Sequence, residues 1–150
     1  MDNESQIDDE RYMRMALDEA RRAAEEQEIP IGAVIVCRGR VLSRAHNQTE
    51  KLADVTAHAE MLAITSAANT LGGKYLTDCT LYVTVEPCPM CAGAIAWAQI
   101  PRIVFGCPDE QRGYQRFSPS LLHPKCVVTQ GVLGGECKDM MTSFFKDKRH

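Results

Sequence analysis

Hydrophobic and polar positions follow two different periods along the chain. Met13, Leu17, Ala20 and Ala24 fall at i, i+4, i+7 and i+11, the apolar stripe of a helix that Asp8 and Asp9 can cap and that should end near Glu28, before Pro30. IPIGAVIVC (29–37) is a nearly continuous apolar run, Arg38-Gly39-Arg40 is a turn, and VLSRAHN (41–47) alternates, which predicts a β-hairpin. A polar loop follows. HAEMLAITSAANTL (58–71) has helical composition, with Gly72-Gly73 to close it. TLYVTVE (80–86) reads as a strand, PMCAGAIAWAQ (89–99) as a helix and RIVFG (102–106) as a short strand. Residues 107–125 contain three prolines and little periodicity, so a long loop with at most a short helical turn is expected. CVVTQGV (126–132) is a further strand, and an amphipathic helix runs from Glu136 to Lys146. The order α-β-β-α-β-α-β-β-α predicts one α/β domain over 1–150, with residues 1–8 a flexible lead. Its mixed sheet should be antiparallel at the hairpin and parallel where helices make the crossovers.

At 150 residues the chain can bury a core without disulfides, and it contains no internal repeat and no apolar run long enough for a membrane helix. MDNESQIDDE is acidic and lacks the apolar segment of an export signal, so a cytoplasmic protein is expected. Seven cysteines (37, 79, 88, 91, 107, 126 and 137) are an odd number, which suits reduced thiols better than a disulfide scaffold. The net charge of −3 makes no general case for nucleic acid, but it is unevenly spread. Residues 1–28 hold ten acidic and four basic side chains, a net of −6, leaving +3 on residues 29–150. A mildly basic body can meet phosphate locally; two solvated faces account for the same numbers.

Thr56-Ala57-His58-Ala59-Glu60 and Pro87-Cys88-Pro89-Met90-Cys91 each open a predicted helix. Two thiols three apart in a first helical turn share one face, and Pro89 suits a first helical position. Free N–H groups at a helix start favour thiolate over thiol. With His58 as a third, neutral ligand, two thiolates can hold zinc and leave a fourth tetrahedral position for water, whose pKa zinc lowers to about 7. Glu60, two residues past His58, lies about 200° round an ideal helix from it, yet both can reach past a helix end toward one ion. A carboxylate there suits general acid/base work. Other readings fit the parts. CPMC alone could be a redox dithiol, or a closed structural zinc site with Cys79 or Cys107; His58 alone could be a core histidine and Glu60 a surface charge. His46 and His123 lack comparable partners and are read as structural.

Together, His-Ala-Glu and Pro-Cys-x-x-Cys match the signature of zinc-dependent nucleobase and nucleoside deaminases. IPIGAVIV, the Asn of AHN, TAHAEM, TLYVTVEPCPMCAGAI, RIVFG and FFKDKR, spread over roughly residues 10–149, resemble successive segments of the bacterial tRNA-specific adenosine deaminases. The resemblance implies a cytidine-deaminase-like fold, a three-layer α/β/α arrangement with a mixed five-stranded sheet. It also implies one Zn2+ per chain, a homodimer with active sites near its interface, and formation of inosine at the wobble position of the tRNA anticodon arm, with no dinucleotide cofactor and no membrane. His58, Cys88 and Cys91 are then the zinc ligands and Glu60 the proton shuttle, protonating N1 of a flipped adenine and then the departing ammonia. Asn47 resembles the family's base-binding asparagine, Ala57 should offer its backbone N–H to the base, and Ile31 and Gly32 should line the pocket. A turn cap is the structural alternative for Asn47, and ordinary strand positions for Ile31 and Gly32.

The chain departs from the family pattern in two places. Val55 precedes Thr56-Ala57-His58 where the family has Pro, and CPDEQRGYQRFSPSLLHP (107–124) replaces a loop of small residues. Arg112, Tyr114, Arg116 and Phe117 interleave basic and aromatic residues, suited to splayed bases and phosphates or to a solvated loop with core aromatics. Phe144, Phe145, Lys146, Lys148 and Arg149 resemble the family's RNA-contacting C-terminus, or form a packed Phe pair and a basic tail. A small-molecule deaminase of guanine, cytosine or a nucleoside would share the zinc site. An RNA-binding or interaction protein retaining the fold would have no need of Glu60.

Overall fold

The computed structural model describes residues 3–148. Its elements are α1 (Asn3–Glu25), β1 (Gly32–Cys37), β2 (Arg40–His46), α2 (Ala59–Leu71), β3 (Cys79–Val85), α3 (Pro89–Trp97), β4 (Arg102–Cys107), α4 (Tyr114–Phe117), a single 3-10 turn, β5 (Val127–Gln130) and α5 (Gly134–Lys148). The strands form one sheet in the order β2-β1-β3-β4-β5. β1 is antiparallel to β2 and β3, while β4 is parallel to β3 and to β5. β2 and β3, joined through α2, thus run the same way with β1 between them. The mixed sheet matches the expectation.

Alternation along the strands builds two cores. Ala33, Ile35, Leu81, Val83, Ile103 and Phe105 pack with Ala59, Ala63 and Ala67 of α2 and with Ala92 and Ile95 of α3. Val34, Val36, Tyr82 and Val104 face the other way, onto Tyr12, Met13, Ala16 and Leu17 of α1 and Cys137 of α5. The sheet therefore carries helices on both faces, the three-layer α/β/α arrangement.

Two expectations at the N-terminus need correction. Residues 3–8, read as a flexible lead, form the first turns of α1, and Asp9 is not a cap. Asp9 is buried because its carboxylate accepts from Tyr82 Oη (2.7 Å) and from both Arg102 nitrogens (3.0 and 2.7 Å), which ties α1 to β3 and β4. A buried carboxylate is stable there only because those donors replace its water.

Gly32 opens β1 where α1 crosses it. A Cβ at that position would overlap the Ala16 carbonyl and lie 2.6 Å from the Ala20 nitrogen, so the absent side chain faces α1 and not a pocket. Reading Gly32 as pocket wall is corrected accordingly: it permits close helix–sheet approach. Gly32→Ala is expected to lower the unfolding free energy by about 1–3 kcal/mol, because helix backbone has to move. Urea denaturation should show a lower midpoint with an unchanged slope; an unmoved midpoint would contradict this packing role.

Candidate active site and metal centre

The C-terminal ends of β2, β3 and β4 define one edge of the sheet, where open α/β folds collect their ligands. His58 immediately precedes α2 and Cys88 immediately precedes α3, both in extended backbone (φ −71°, ψ 153° and φ −73°, ψ 169°). Pro89 takes the first helical position, where its missing N–H removes no helical bond. His58 Nδ1 lies 3.6 Å from Cys88 Sγ and 3.5 Å from Cys91 Sγ, and the three donor atoms fall within 4.8 Å of one another. Tetrahedral zinc, with Zn–S about 2.3 Å and Zn–N about 2.0–2.1 Å, separates nitrogen from sulfur by about 3.6 Å. The donor set therefore fits zinc without rearrangement.

No fourth His, Cys, Asp or Glu joins this group among the described residues. Cys79 lies at the opposite end of β3, paired across the sheet with Cys37, and Cys107 belongs to the core beneath α1 and α5. The closed structural site with Cys79 or Cys107 therefore has no support, and three protein donors leave an open position. His46 likewise stays out of the centre: its ring nitrogens lie 3.2 Å from Glu19 Oε1 and 3.0 Å from Glu26 Oε1, fastening the end of β2 to α1.

His58 is extended, not helical, so it and Glu60 need not diverge as they would inside a helix. Glu60 is 3% exposed, and its Oε1 has no hydrogen-bond partner among the described residues. Burying such an oxygen costs about 1–3 kcal/mol or more unless a bound group answers it. Burial pushes its carboxyl up to about 7, against the lowering pull of its own backbone N–H; among the closest groups, Cys88 adds to the rise while His58 and Cys91 oppose it. The sulfurs are unequal. A hydrogen bond from Cys91 holds Cys88 down to about 4, while Cys91, as the donating thiol, is pushed up. His58 is raised, chiefly by its bond with Cys88. Metal ligation would take both sulfurs as thiolates.

Asn47 follows β2 and is buried. Its Oδ1 accepts the Ala59 N–H at 2.8 Å, satisfying an orphan donor at the start of α2, so only its NH2 group is left to face a ligand. The Asn47 carbonyl thus serves the start of α2, the capping alternative, and its NH2 group keeps its capacity to donate. Ala57 is a correction. Its N–H donates to the Asp54 carbonyl (3.1 Å) and its carbonyl accepts from Gln48 (3.0 Å), so its backbone groups brace the loop and none is free for a base. Ile31 is half-buried, and its carbonyl accepts the Asn47 N–H at 3.1 Å, which places it at this edge.

The 107–125 segment divides by burial. Tyr114 is 2% exposed and belongs to the core, so it cannot stack on a base; Phe117 is 60% exposed. Arg112 and Arg116 are exposed, and the Arg112 guanidinium is near enough to His58 to oppose its protonation. α5 begins beside Gly106, at the end of β4, and its Met140, Ser143 and Phe144 share a groove with Ala24 and Gln27 at the end of α1. Phe144 packs edge-on against Phe145 (centroids 5.4 Å apart), with Lys148 Nζ 5.2 Å from the Phe144 ring centre. Phe145 and Lys146 are exposed; Arg149 lies outside the described residues.

Two buried carboxylates escape sequence reasoning. Glu28 accepts the N–H groups of Glu50 (3.1 Å) and Lys51 (2.8 Å), pinning the loop between Asn47 and His58. Glu86 accepts those of Asp109 (3.1 Å) and Gln115 (3.0 Å). Neither has a charged partner among the described residues, so an opposite-charge pattern in the sequence does not reveal them.

Comparison with known proteins agrees with this geometry. Residues 6–107 match the cytidine and deoxycytidylate deaminase zinc-binding region. A tRNA-specific adenosine deaminase of Aquifex aeolicus is 49% identical, over 94% of this chain and 96% of the relative. A solved structure from a study of tRNA:A34 deaminases superposes with a TM-score of 0.81 at 43% identity, over 87% of this chain and 98% of that one. A solved guanine deaminase of Bacillus subtilis is more distant, with a TM-score of 0.63 at 36% identity over 72% of this chain and 66% of its own. The chain belongs to the zinc-binding cytidine and deoxycytidylate deaminase family, and within it to the tRNA-specific adenosine deaminases.

Proposed function

We propose that this protein deaminates adenosine to inosine at the wobble position of a tRNA anticodon, with His58, Cys88 and Cys91 holding one zinc ion and Glu60 moving the protons. The observation that carries the reading is the unpartnered, buried Oε1 of Glu60 beside a three-donor zinc set. Zinc at those donors supplies a Lewis acid that makes water a nucleophile near neutral pH. Glu60, with an affinity for protons balanced near pH 7, takes one proton from the attacking water and places it on N1 of the adenine. A second proton, from the new hydroxyl, passes through the same carboxylate to the amino nitrogen, which leaves as ammonia while C6 keeps its oxygen. Asn47, its carbonyl engaged by Ala59, donates its NH2 to a purine ring nitrogen.

Arg112, Arg116 and Phe117 on one loop and Phe144, Phe145 and Lys146 on α5 are the groups that would receive the surrounding nucleotides. A tRNA substrate and the likeness to bacterial tRNA-specific adenosine deaminases support a cytoplasmic location; no helix among the described residues is long and apolar enough to cross a membrane. A homodimer is supported by α3, which has no charged side chain yet leaves Met90 37% and Trp97 84% exposed. A helix apolar all round belongs in an interior, and a second copy supplies one. Sedimentation should give twice the 16.7 kDa chain mass; a monomer at micromolar concentration would remove the dimer.

Ammonia release separates the substrates. The zinc-loaded protein should act on an anticodon stem-loop bearing wobble adenosine and not on guanine, cytosine or free nucleosides. Turnover of guanine with none of the stem-loop would establish the free-base reading instead.

A further inference from the structure

The loop that replaces the family's small residues is built from the corner that precedes the zinc helix. Glu86 Oε1 accepts the Asp109 N–H at 3.1 Å, and Oε2 accepts that of Gln115 at 3.0 Å. The neighbouring Pro87 carbonyl takes the Tyr114 N–H at 2.9 Å. The fixed Asp109 then organises residues 111–113: its side chain accepts the N–H groups of Gln111 (3.1 Å) and Arg112 (2.9 Å), and its carbonyl accepts that of Gly113 (2.9 Å). Arg116 closes the loop, donating its N–H to Gly113 O and a guanidinium N–H to Glu110 O, each at 3.2 Å. All backbone donors from Gln111 to Arg116 are thereby satisfied.

Glu86 is 5% exposed and forms no ion pair among the described residues, so backbone N–H groups alone compensate its buried charge. Gly113 makes room for it: a Cβ there would overlap the Glu86 carboxylate. A buried carboxylate and a matching glycine, 27 positions apart, are therefore committed to shaping one segment, 109–117, whose exposed side chains are Glu110, Gln111, Arg112, Gln115, Arg116 and Phe117. The backbone of Arg112 is two hydrogen-bonding steps from Glu86, through Asp109. Its guanidinium is charged at any working pH and suited to phosphate oxygens.

We propose that Glu86 is a positioning residue for substrate recognition: through Asp109 it presets the 109–117 loop, held by Glu86 and Pro87 next to Cys88, so that Arg112 on that loop receives a backbone phosphate flanking the target nucleotide. The inference rests on the tRNA reading and adds a specificity determinant to it. Presetting removes the entropy cost of ordering the loop at binding, so its loss appears in affinity and not in the chemical step.

Steady-state kinetics on the anticodon stem-loop, with zinc-loaded wild type, E86Q, R112A and E86Q/R112A, test it. Gln in place of Glu sets an NH2 group against a backbone N–H and loses one loop bond. E86Q and R112A should each raise KM about tenfold, with kcat within about threefold of wild type and zinc unchanged at one per chain. The double variant should be no worse than the poorer single one, because Glu86 acts through Arg112. G113A, which displaces the same carboxylate, should reproduce E86Q and carries the test if E86Q fails to fold; E86D should recover part of the loss. Multiplying effects in the double variant, or a fall in kcat at constant KM, would overturn the proposal. Wild type active on the stem-loop, with KM indifferent to E86Q and G113A, would overturn the positioning role alone. Wild type active on guanine and inactive on the stem-loop would overturn the tRNA reading and this inference with it.

Discussion

Glu60→Gln is expected to keep one zinc ion per chain and to lose deamination by roughly 10²–10⁴-fold, the range that a positioned general acid/base contributes. The substitution preserves volume and the local backbone, so the three donors at the starts of α2 and α3 stay where they are. It removes the group that can both take and return a proton. Burial makes that group effective: an exposed carboxylate titrates near 4.5, whereas this one is pushed up to about 7, where donating and accepting are balanced at neutral pH. Because the step lost is chemical, kcat should fall while KM for the stem-loop changes little. Metal analysis alongside single-turnover inosine formation separates the cases. Full zinc occupancy with wild-type turnover would remove Glu60 from the mechanism; loss of zinc would make it a site organiser instead.

Cys91→Ala has the second large effect, with a different signature. Cys91 is wholly buried and contributes one of three donors, so its removal should reduce zinc to less than about a tenth of an ion per chain and abolish turnover. Stability should follow occupancy, since a ligand bound only by the folded state adds about 4 kcal/mol when its free concentration is 1,000 times Kd. A chelator should therefore lower the melting temperature of wild type and leave that of Cys91→Ala unmoved. Acid should act as the chelator does: two thiolates and a neutral imidazole must all be proton-free to bind, so zinc is released as pH falls. A variant that retains stoichiometric zinc and a chelator-sensitive melting temperature would show that Cys91 is not a ligand.

The parts of the fold legible in the sequence are those governed by local pattern. Period-2 and apolar runs located all five strands, Gly72 in its left-handed conformation closed α2 as expected, and Pro89 took the first position of α3. His58, Cys88 and Cys91 were legible because metal chemistry demands those residue types at helix starts. What stayed hidden depends on partners distant in sequence. Asp9 looked like a cap but is held by Tyr82 and Arg102, 73 and 93 positions away. Gly32 looked like pocket wall, yet its constraint comes from α1 packing over it. Ala57 was expected to hand its N–H to a base, but a turn to Asp54 consumes it. Tyr114 stands in a polar, basic segment and is nonetheless core. Glu28 and Glu86 carry no signal of burial in the sequence, because backbone N–H groups, the same at every non-proline position, are what bury them.

The electrostatic division of labour follows from this arrangement. α2 and α3 aim their N-termini, and hence partial positive charge, at the donors, while Glu60 supplies a buried carboxylate beside them. Carboxylates elsewhere at this edge are engaged: Glu28 by the 49–51 loop, Glu19 and Glu26 by His46, Glu86 by the 109–115 loop. The free oxygen of Glu60 is therefore distinctive among its neighbours.

Mapping inosine in an anticodon stem-loop after single-turnover reaction with the zinc-loaded protein tests the central claim most directly. The account predicts conversion of the wobble adenosine alone, complete with wild type and abolished in Glu60→Gln at equal zinc content. An unmodified wobble adenosine alongside rapid release of ammonia from guanine, or equal conversion by the two proteins, would contradict it.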